Sequence, residues 1–532
     1  MIRFLILFLC ASITILAKDP YPKNDAIDVK HYRFELELND TTDVIAGRTI
    51  LTVAFRKITN SFELDLIGSN GQKGMTVRSV SQGNQPVAFT HANHRIQIKL
   101  NSAPAVGSEL EFVIEYAGIP ADGLIIGKNK FNERTFFGDN WPDRGRYWLP
   151  SIDHPYDKAT VDFVITAPEQ YQVVATGKQI EESNLPGKRK RTHWHESVNV
   201  PVKVMTIGVA RFAIQLSGEP SGIPITTWVY PQNRDDGFTD FAIAPQVFSW
   251  LEGYIGPYAY EKLAHVQSKT RFGGLENASN IFYFENSVTG KKEREGLIAH
   301  ETAHQWFGNS ASESDWHHVW LSEGFATYFT ALYFEGTAGR ERFVEEMTKN
   351  KQQVIQFYQR NQAPIVDTTI TDINKVLSTN TYQKAGWVLH MLRREIGDET
   401  FKKTVREYYA TYKNGNALTS DFQRIAEKNS GRDLSTFFHQ RLFRGGHPRL
   451  EGTWKFNAKT KEVEILIRQT QKEPPFLATL EIGVKTGTGQ SLKPVQLTER
   501  SQKIRIPSEV APTELILDPN SWLLFEGKIS RK

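Results

Sequence analysis

His300-Glu301-Thr302-Ala303-His304, followed by Leu321-Ser322-Glu323-Gly324-Phe325-Ala326, is the stretch on which the reading turns. Two histidines four apart on a helix project from one face and can grip one metal ion through their imidazole nitrogens. Glu301 is rotated off that face and falls beside the vacant coordination position. There it can take a proton from a water held by the metal instead of coordinating it. A pentapeptide of this form arises by accident in roughly two chains per hundred of this length and composition. The bland alternative is a pair of helix histidines with no metal.

A tetrahedral catalytic site needs a third protein ligand and one open position. A third histidine six residues on is excluded, because that position is Ser310. Downstream lie Glu313, Asp315, His317, His318 and Glu323. The polar run Asn309 to Ser314 reads as a loop, so Glu313 and Asp315 are expected to face water. Leu321 to Ala326 opens a second helix, with Phe325, Tyr328, Phe329 and Leu332 to pack it against the first. A carboxylate near the start of that helix can aim at its neighbour's histidines, which selects Glu323.

Working outward, the chain has 532 residues, and at one domain per ~100–200 residues that length suggests three or four domains. Its 39% hydrophobic and 23% charged residues describe a globular chain. A net charge of +4, from 64 basic against 60 acidic residues, makes no electrostatic case for nucleic acid. The single cysteine, Cys10, excludes an internal disulfide framework and a thiolate metal site, leaving His, Asp and Glu as ligands. Met1 to Ala17 reads as an export signal, with Arg3, a short apolar core and Ala17 before Lys18-Asp19. The core is too short for a span of ~20 residues; an uncleaved anchor is the alternative.

From about Lys30 to Phe212 the texture is strand-like. Tyr32, Phe34, Leu36 and Leu38 alternate with polar residues, and similar runs occur at Ile50–Phe55, Ile96–Leu100, Leu110–Tyr116 and Val161–Ile165. This predicts a large antiparallel sheet. His193 and His195 share one strand face and read as a surface pair. Ser217 to Pro224 marks a boundary, after which apolar residues recur at helical spacing around Phe241–Tyr254, Arg294–Phe307, Leu321–Phe334, Arg340–Tyr358 and Gln383–Ile396. Beyond Gly445-Gly446-His447-Pro448 strands return at Val463–Ile467, Leu477–Val484, Ile504–Ile506 and Leu515–Leu517, which predicts a small sandwich.

These residues resemble a known family, the gluzincin metallo-aminopeptidases of the aminopeptidase N and leukotriene hydrolase type. The family's HExxH, eighteen residues, then Glu maps onto His300, His304 and Glu323, with Ser322 in place of the usual Asn. Its G-x-M-E-N motif corresponds to Gly273-Gly274-Leu275-Glu276-Asn277, and its tyrosine context to Tyr382-Gln383-Lys384-Ala385. Gly256-Pro257-Tyr258 and Arg146-Tyr147-Trp148-Leu149-Pro150 also fit, so the likeness spans about Tyr32 to Pro448.

The resemblance implies a multidomain α+β protein. It would comprise a signal peptide (1–17), an N-terminal antiparallel β domain (18–216), a thermolysin-like, mostly helical catalytic domain (217–445) and a C-terminal β-sandwich (446–532). It implies one Zn²⁺ per chain on His300, His304 and Glu323, and peptide substrates with a free N-terminus. Glu301 would be general base, Tyr382 oxyanion donor and Glu276 the partner of the substrate ammonium, with Gly273, Gly274 and Asn277 beside it. Gly273 and Gly274 would let substrate backbone lie close to an edge strand. Family members place Gln or Glu where this chain has Trp141, which leaves the second amine-binding group open, with Asp139 and Asn140 as candidates. His317 and His318 depart from the family and are not expected to be ligands. The Asn277-Ala278-Ser279 sequon is expected to be unmodified. The chain read here stops short of the family's large helical domain, so a more open cleft is expected. The competing readings are an inert docking module with this fold and a bifunctional epoxide hydrolase. The expected protein is exported, with no stable membrane span after signal cleavage.

Overall fold

A computed structural model describes residues 19–532; the export signal expected at Met1 to Ala17 lies outside them. Among the described residues no helix is long and apolar enough to cross a membrane.

The N-terminal part is built on an eight-stranded sheet. Ile27–Glu37 sits near its middle, between Ile45–Phe55 and Ala159–Pro168. The alternation seen in the sequence is the cause: Tyr32, Phe34 and Leu36 are buried on one face. The sheet departs from the expected antiparallel pattern at one pair. Ile27–Glu37 runs parallel to Ala159–Pro168, with Tyr32 opposite Val161. A four-stranded sheet and a three-stranded one complete this part.

The central part is less helical than its texture suggested. It opens with a five-stranded mixed sheet in the order Ala213–Gly218, Ile225–Val229, Leu263–Ser268, Asn280–Phe284, Gly274–Leu275. Ala213–Gly218 pairs with Ile225–Val229 as a hairpin. The Ser217 to Pro224 turn is therefore inside this sheet. Among the described residues, Gly274–Leu275 is the outer strand, paired only to Asn280–Phe284.

The helices Glu295–His304, Trp320–Ala338, Arg340–Tyr358 and Ala385–Ile396 follow. Phe307 and Phe325, with ring centroids 4.6 Å apart, pack the loop after the first against the start of the second. Gly324 lets the second approach the fourth: a Cβ there would stand 2.6 Å from that of Ala385. The chain ends in a four-stranded and a three-stranded sheet, whose alternating residues Val463, Ile465, Ile467 and Leu480, Ile482, Val484 are buried.

Candidate metal centre and substrate cleft

His300 and His304 lie one turn apart on the Glu295–His304 helix, with their Nε2 atoms 3.1 Å apart. Glu323, in the first turn of Trp320–Ala338, brings Oε2 to 3.2 Å from His304 Nε2 and 3.5 Å from His300 Nε2. A tetrahedral zinc with bonds of about 2.0–2.1 Å has ligand-to-ligand edges of about 3.3–3.4 Å. The three atoms span such a face, and Glu323 Oε2 is a buried oxygen with no hydrogen-bond partner. The donor set fits zinc.

The other nitrogen of His304 is also tied. Nδ1 lies 3.2 Å from the Phe307 carbonyl and 3.0 Å from Ser322 Oγ, and donation there leaves Nε2 as the free lone pair. Gly308 makes room: its φ is +115°, and a Cβ would stand 2.1 Å from Ser322 Oγ. Ser322 thus holds the His304 ring directly.

Glu301 points off the ligand face, as helical geometry requires, toward the outer strand Gly274–Leu275. Its carboxyl group, that of Glu276 and a ring nitrogen of His304 lie within 4.8 Å of one another. Burial, reinforced by Glu276 and Glu323 and opposed by His304, pushes the Glu301 carboxyl well above the usual range. Glu276 is buried with Oε1 unpartnered, while Gln305 and Asn309 hold its backbone carbonyl from behind. Tyr382 sits in a π-helical turn, Asn380–Lys384, just ahead of Ala385–Ile396. Its ring stacks at 6.0 Å on that of His300. Desolvation, then the carboxylates Glu323 and Glu276, push its phenol well above the ordinary value, so it stays a proton donor.

The sequence matches the peptidase M1 N-terminal domain over residues 28–202 and the peptidase family M1 domain over residues 240–441. This chain belongs to peptidase family M1. Glutamyl aminopeptidase of Rattus norvegicus is 24% identical over 85% of the chain and 51% of its own length. Probable aminopeptidase 2 of Sulfurisphaera tokodaii is 25% identical over 70% of the chain and 49% of its own length. The M1 chain therefore spans about half the length of the curated relatives it matches. An M1 zinc metallopeptidase from Deinococcus radiodurans shares the fold at a TM-score of 0.66 and 22% identity, over 80% of this chain and 95% of that one.

Other expected site residues lie elsewhere in the M1 chain. Asp139 and Asn140 cannot serve as second amine-binding group, because both are fully buried and already engaged. Asp139 pairs with Arg144 and accepts from Arg271 N at 3.1 Å. Asn140 donates to Met205 O at 2.6 Å and accepts from Trp148 Nε1 at 2.8 Å. Asn277 is fully buried outside the cleft lining, so its sequon is inaccessible as well. Gly273 has open space where a Cβ would stand and does line the cleft.

Glu313 does not face water. It is wholly buried with Oε1 2.5 Å from Lys203 Nζ, and Lys158 Nζ donates to the carbonyls of Asn309, Ser310 and Gly415. These two lysines of the N-terminal part hold the loop that leaves the histidine helix, and sequence pattern did not single them out for it. Asp315 is buried too, accepting from Asp19 N at 3.2 Å and His317 N at 3.1 Å. His317 bonds to Ile370 O and His318 to Thr419 Oγ1, so neither is a ligand. His193 and His195 share their strand face and both meet Asp162.

Proposed function

We propose that this chain is an exported, zinc-dependent aminopeptidase that releases the first residue of peptides with a free N-terminus. The observation that carries the reading is the buried, unpartnered carboxylate oxygen of Glu276 within reach of Glu301 and His304. A buried anion without a cation is costly, and the ammonium of a peptide supplies the missing charge. An acylated N-terminus does not, which makes the site that of an exopeptidase.

His300, His304 and Glu323 would hold the zinc. When bound, zinc supplies a Lewis acid for the scissile carbonyl and acidifies a water toward neutral pH. Glu301 takes the proton of the attacking water and returns it to the leaving amine. Tyr382 donates its hydroxyl to the oxygen on which negative charge develops, a role worth ~3–4 kcal/mol where it has been removed in other enzymes. The outer strand Gly274–Leu275 offers its free edge to an extended peptide.

The test is hydrolysis of leucyl and alanyl p-nitroanilides by the zinc-loaded chain. Chelator and Glu301→Gln should each abolish it, Glu301→Gln with zinc retained, and N-acetyl-leucyl p-nitroanilide should not be cleaved. Full turnover by zinc-loaded Glu301→Gln overturns the mechanism.

A further inference from the structure

The Glu295–His304 helix gives the cleft a direction. Glu276 meets Glu301 and His304 toward the helix's carboxyl end. Gly296 and Leu297, at the amino end, line the cleft with Thr330, Glu346 and Asn350. Trp141 belongs to the Glu276 end, because its ring packs edge-on, 5.4 Å away, against Trp316, in the segment that follows the histidine helix. Phe272, two residues before Gly274, meets Trp141 at 6.3 Å in a T-shaped contact. A peptide whose ammonium meets Glu276 therefore has Trp141 and Phe272 beside its first residue and leaves past Glu346.

We infer that Trp141 and Phe272 form the wall that selects the first residue, admitting apolar and aromatic side chains and turning acidic ones away. The inference rests on the aminopeptidase reading and deepens it. The cavity holds about 350 Å³, and its titratable lining includes Glu276, Glu301, Glu323 and Glu346 with the two histidines. Among the described residues, no lysine or arginine lines it. A substrate carboxylate would enter without a counter-charge. Of the neighbouring guanidiniums, Arg144 lies over the Phe272 ring at 5.6 Å and is bound to Asp139, and Arg271 is bound to Asp122. The segment that carries Trp141 is fixed by the buried bonds of Asp139 and Asn140, so the wall is in place before substrate arrives. This preference differs from the one that the name glutamyl aminopeptidase states for the relatives.

The test compares phenylalanyl, leucyl and glutamyl p-nitroanilides on the zinc-loaded chain and on Phe272→Lys and Trp141→Gln. Phenylalanyl and leucyl substrates should exceed glutamyl by about 100-fold in kcat/KM, since a pocket rejects a group it leaves unpaired by that order or more. Phe272→Lys, at a half-buried position, should raise glutamyl turnover relative to leucyl at least about tenfold. Trp141→Gln should narrow the phenylalanyl advantage, chiefly through KM. Calorimetric titration of zinc-loaded Glu301→Gln with Phe-Ala and Glu-Ala reads the wall without turnover, and Phe-Ala should bind more tightly. Equal or tighter binding of Glu-Ala, or a glutamyl-to-leucyl ratio unmoved in folded Phe272→Lys, overturns the inference. Tighter Phe-Ala binding without hydrolysis of any reporter would uphold the wall and overturn the aminopeptidase reading.

Discussion

Gly274 lies flat against the carboxylate of Glu301: a Cβ on Gly274 would stand 2.2 Å from Oε1 and 2.4 Å from Cδ. The glycine is required by the chain's own Glu301 carboxylate, in addition to any close approach of substrate. In Gly274→Ala the Glu301 side chain must swing away while His300, His304 and Glu323 keep their places. Zinc content should stay at one per chain, and kcat should fall at least about 100-fold, the scale expected for a reacting group misplaced by an ångström. Metal analysis and steady-state kinetics on one preparation check it; unchanged kcat would place Glu301 outside the proton transfer.

The Lys203–Glu313 pair ties the loop after the histidine helix to the N-terminal part, with both side chains essentially without solvent exposure. Burial raises the Glu313 carboxyl pKa, and Lys203 opposes that rise. Lys203→Met strands the carboxylate and should cost about 3–5 kcal/mol, whereas Lys203→Met with Glu313→Leu should recover most of that. Urea denaturation of the two variants separates the cases. A single variant as stable as the double one would mean that the pair is not what holds the loop.

The convergence of the candidate metal ligands was legible because their spacing is local. Two histidines one helical turn apart and a carboxylate in the first turn of the next helix need only helix geometry to converge, and His300, His304 and Glu323 do. Glu313 and Asp315 were misread for the opposite reason. Their polar run looks solvated, yet its partners, Lys203 and Asp19, come from more than a hundred residues away. The five-stranded sheet was hidden because Leu263–Ser268 is buried on both faces and shows no alternation. Its first hairpin straddles a turn that reads equally well as a domain boundary.

Ser322 stands where the family has Asn, yet its hydroxyl reaches His304 Nδ1 at 3.0 Å. Ser322→Ala removes one of two partners, and the Phe307 carbonyl remains at 3.2 Å. Loss of such a supporting group costs 10–100-fold in metal affinity, so the lower end, about tenfold, is expected here. Competition with a calibrated chelator measures it. Ser322→Asn should fail to restore affinity, because Gly308 already closes on the serine hydroxyl.

His265 is fully buried in the central sheet, with Nδ1 2.9 Å from the Tyr283 hydroxyl. Desolvation alone lowers its pKa from 6.5 to about 3. Between those values the unfolded chain binds a proton that the folded chain does not. Stability contributed by the neutral ring is therefore present above pH 6.5 and is lost as pH falls toward 3, at up to about 1.4 kcal/mol per pH unit. The total slope is not the test, because burial pushes Asp153 and Asp157 up to about 7 and they act in the opposite direction. The difference between wild type and His265→Gln isolates the site. From pH 6.5 to 4.5 wild type should lose about 2 kcal/mol relative to the variant, read from urea midpoints at each pH. Parallel curves would mean that the imidazole is solvated or charged in the folded chain.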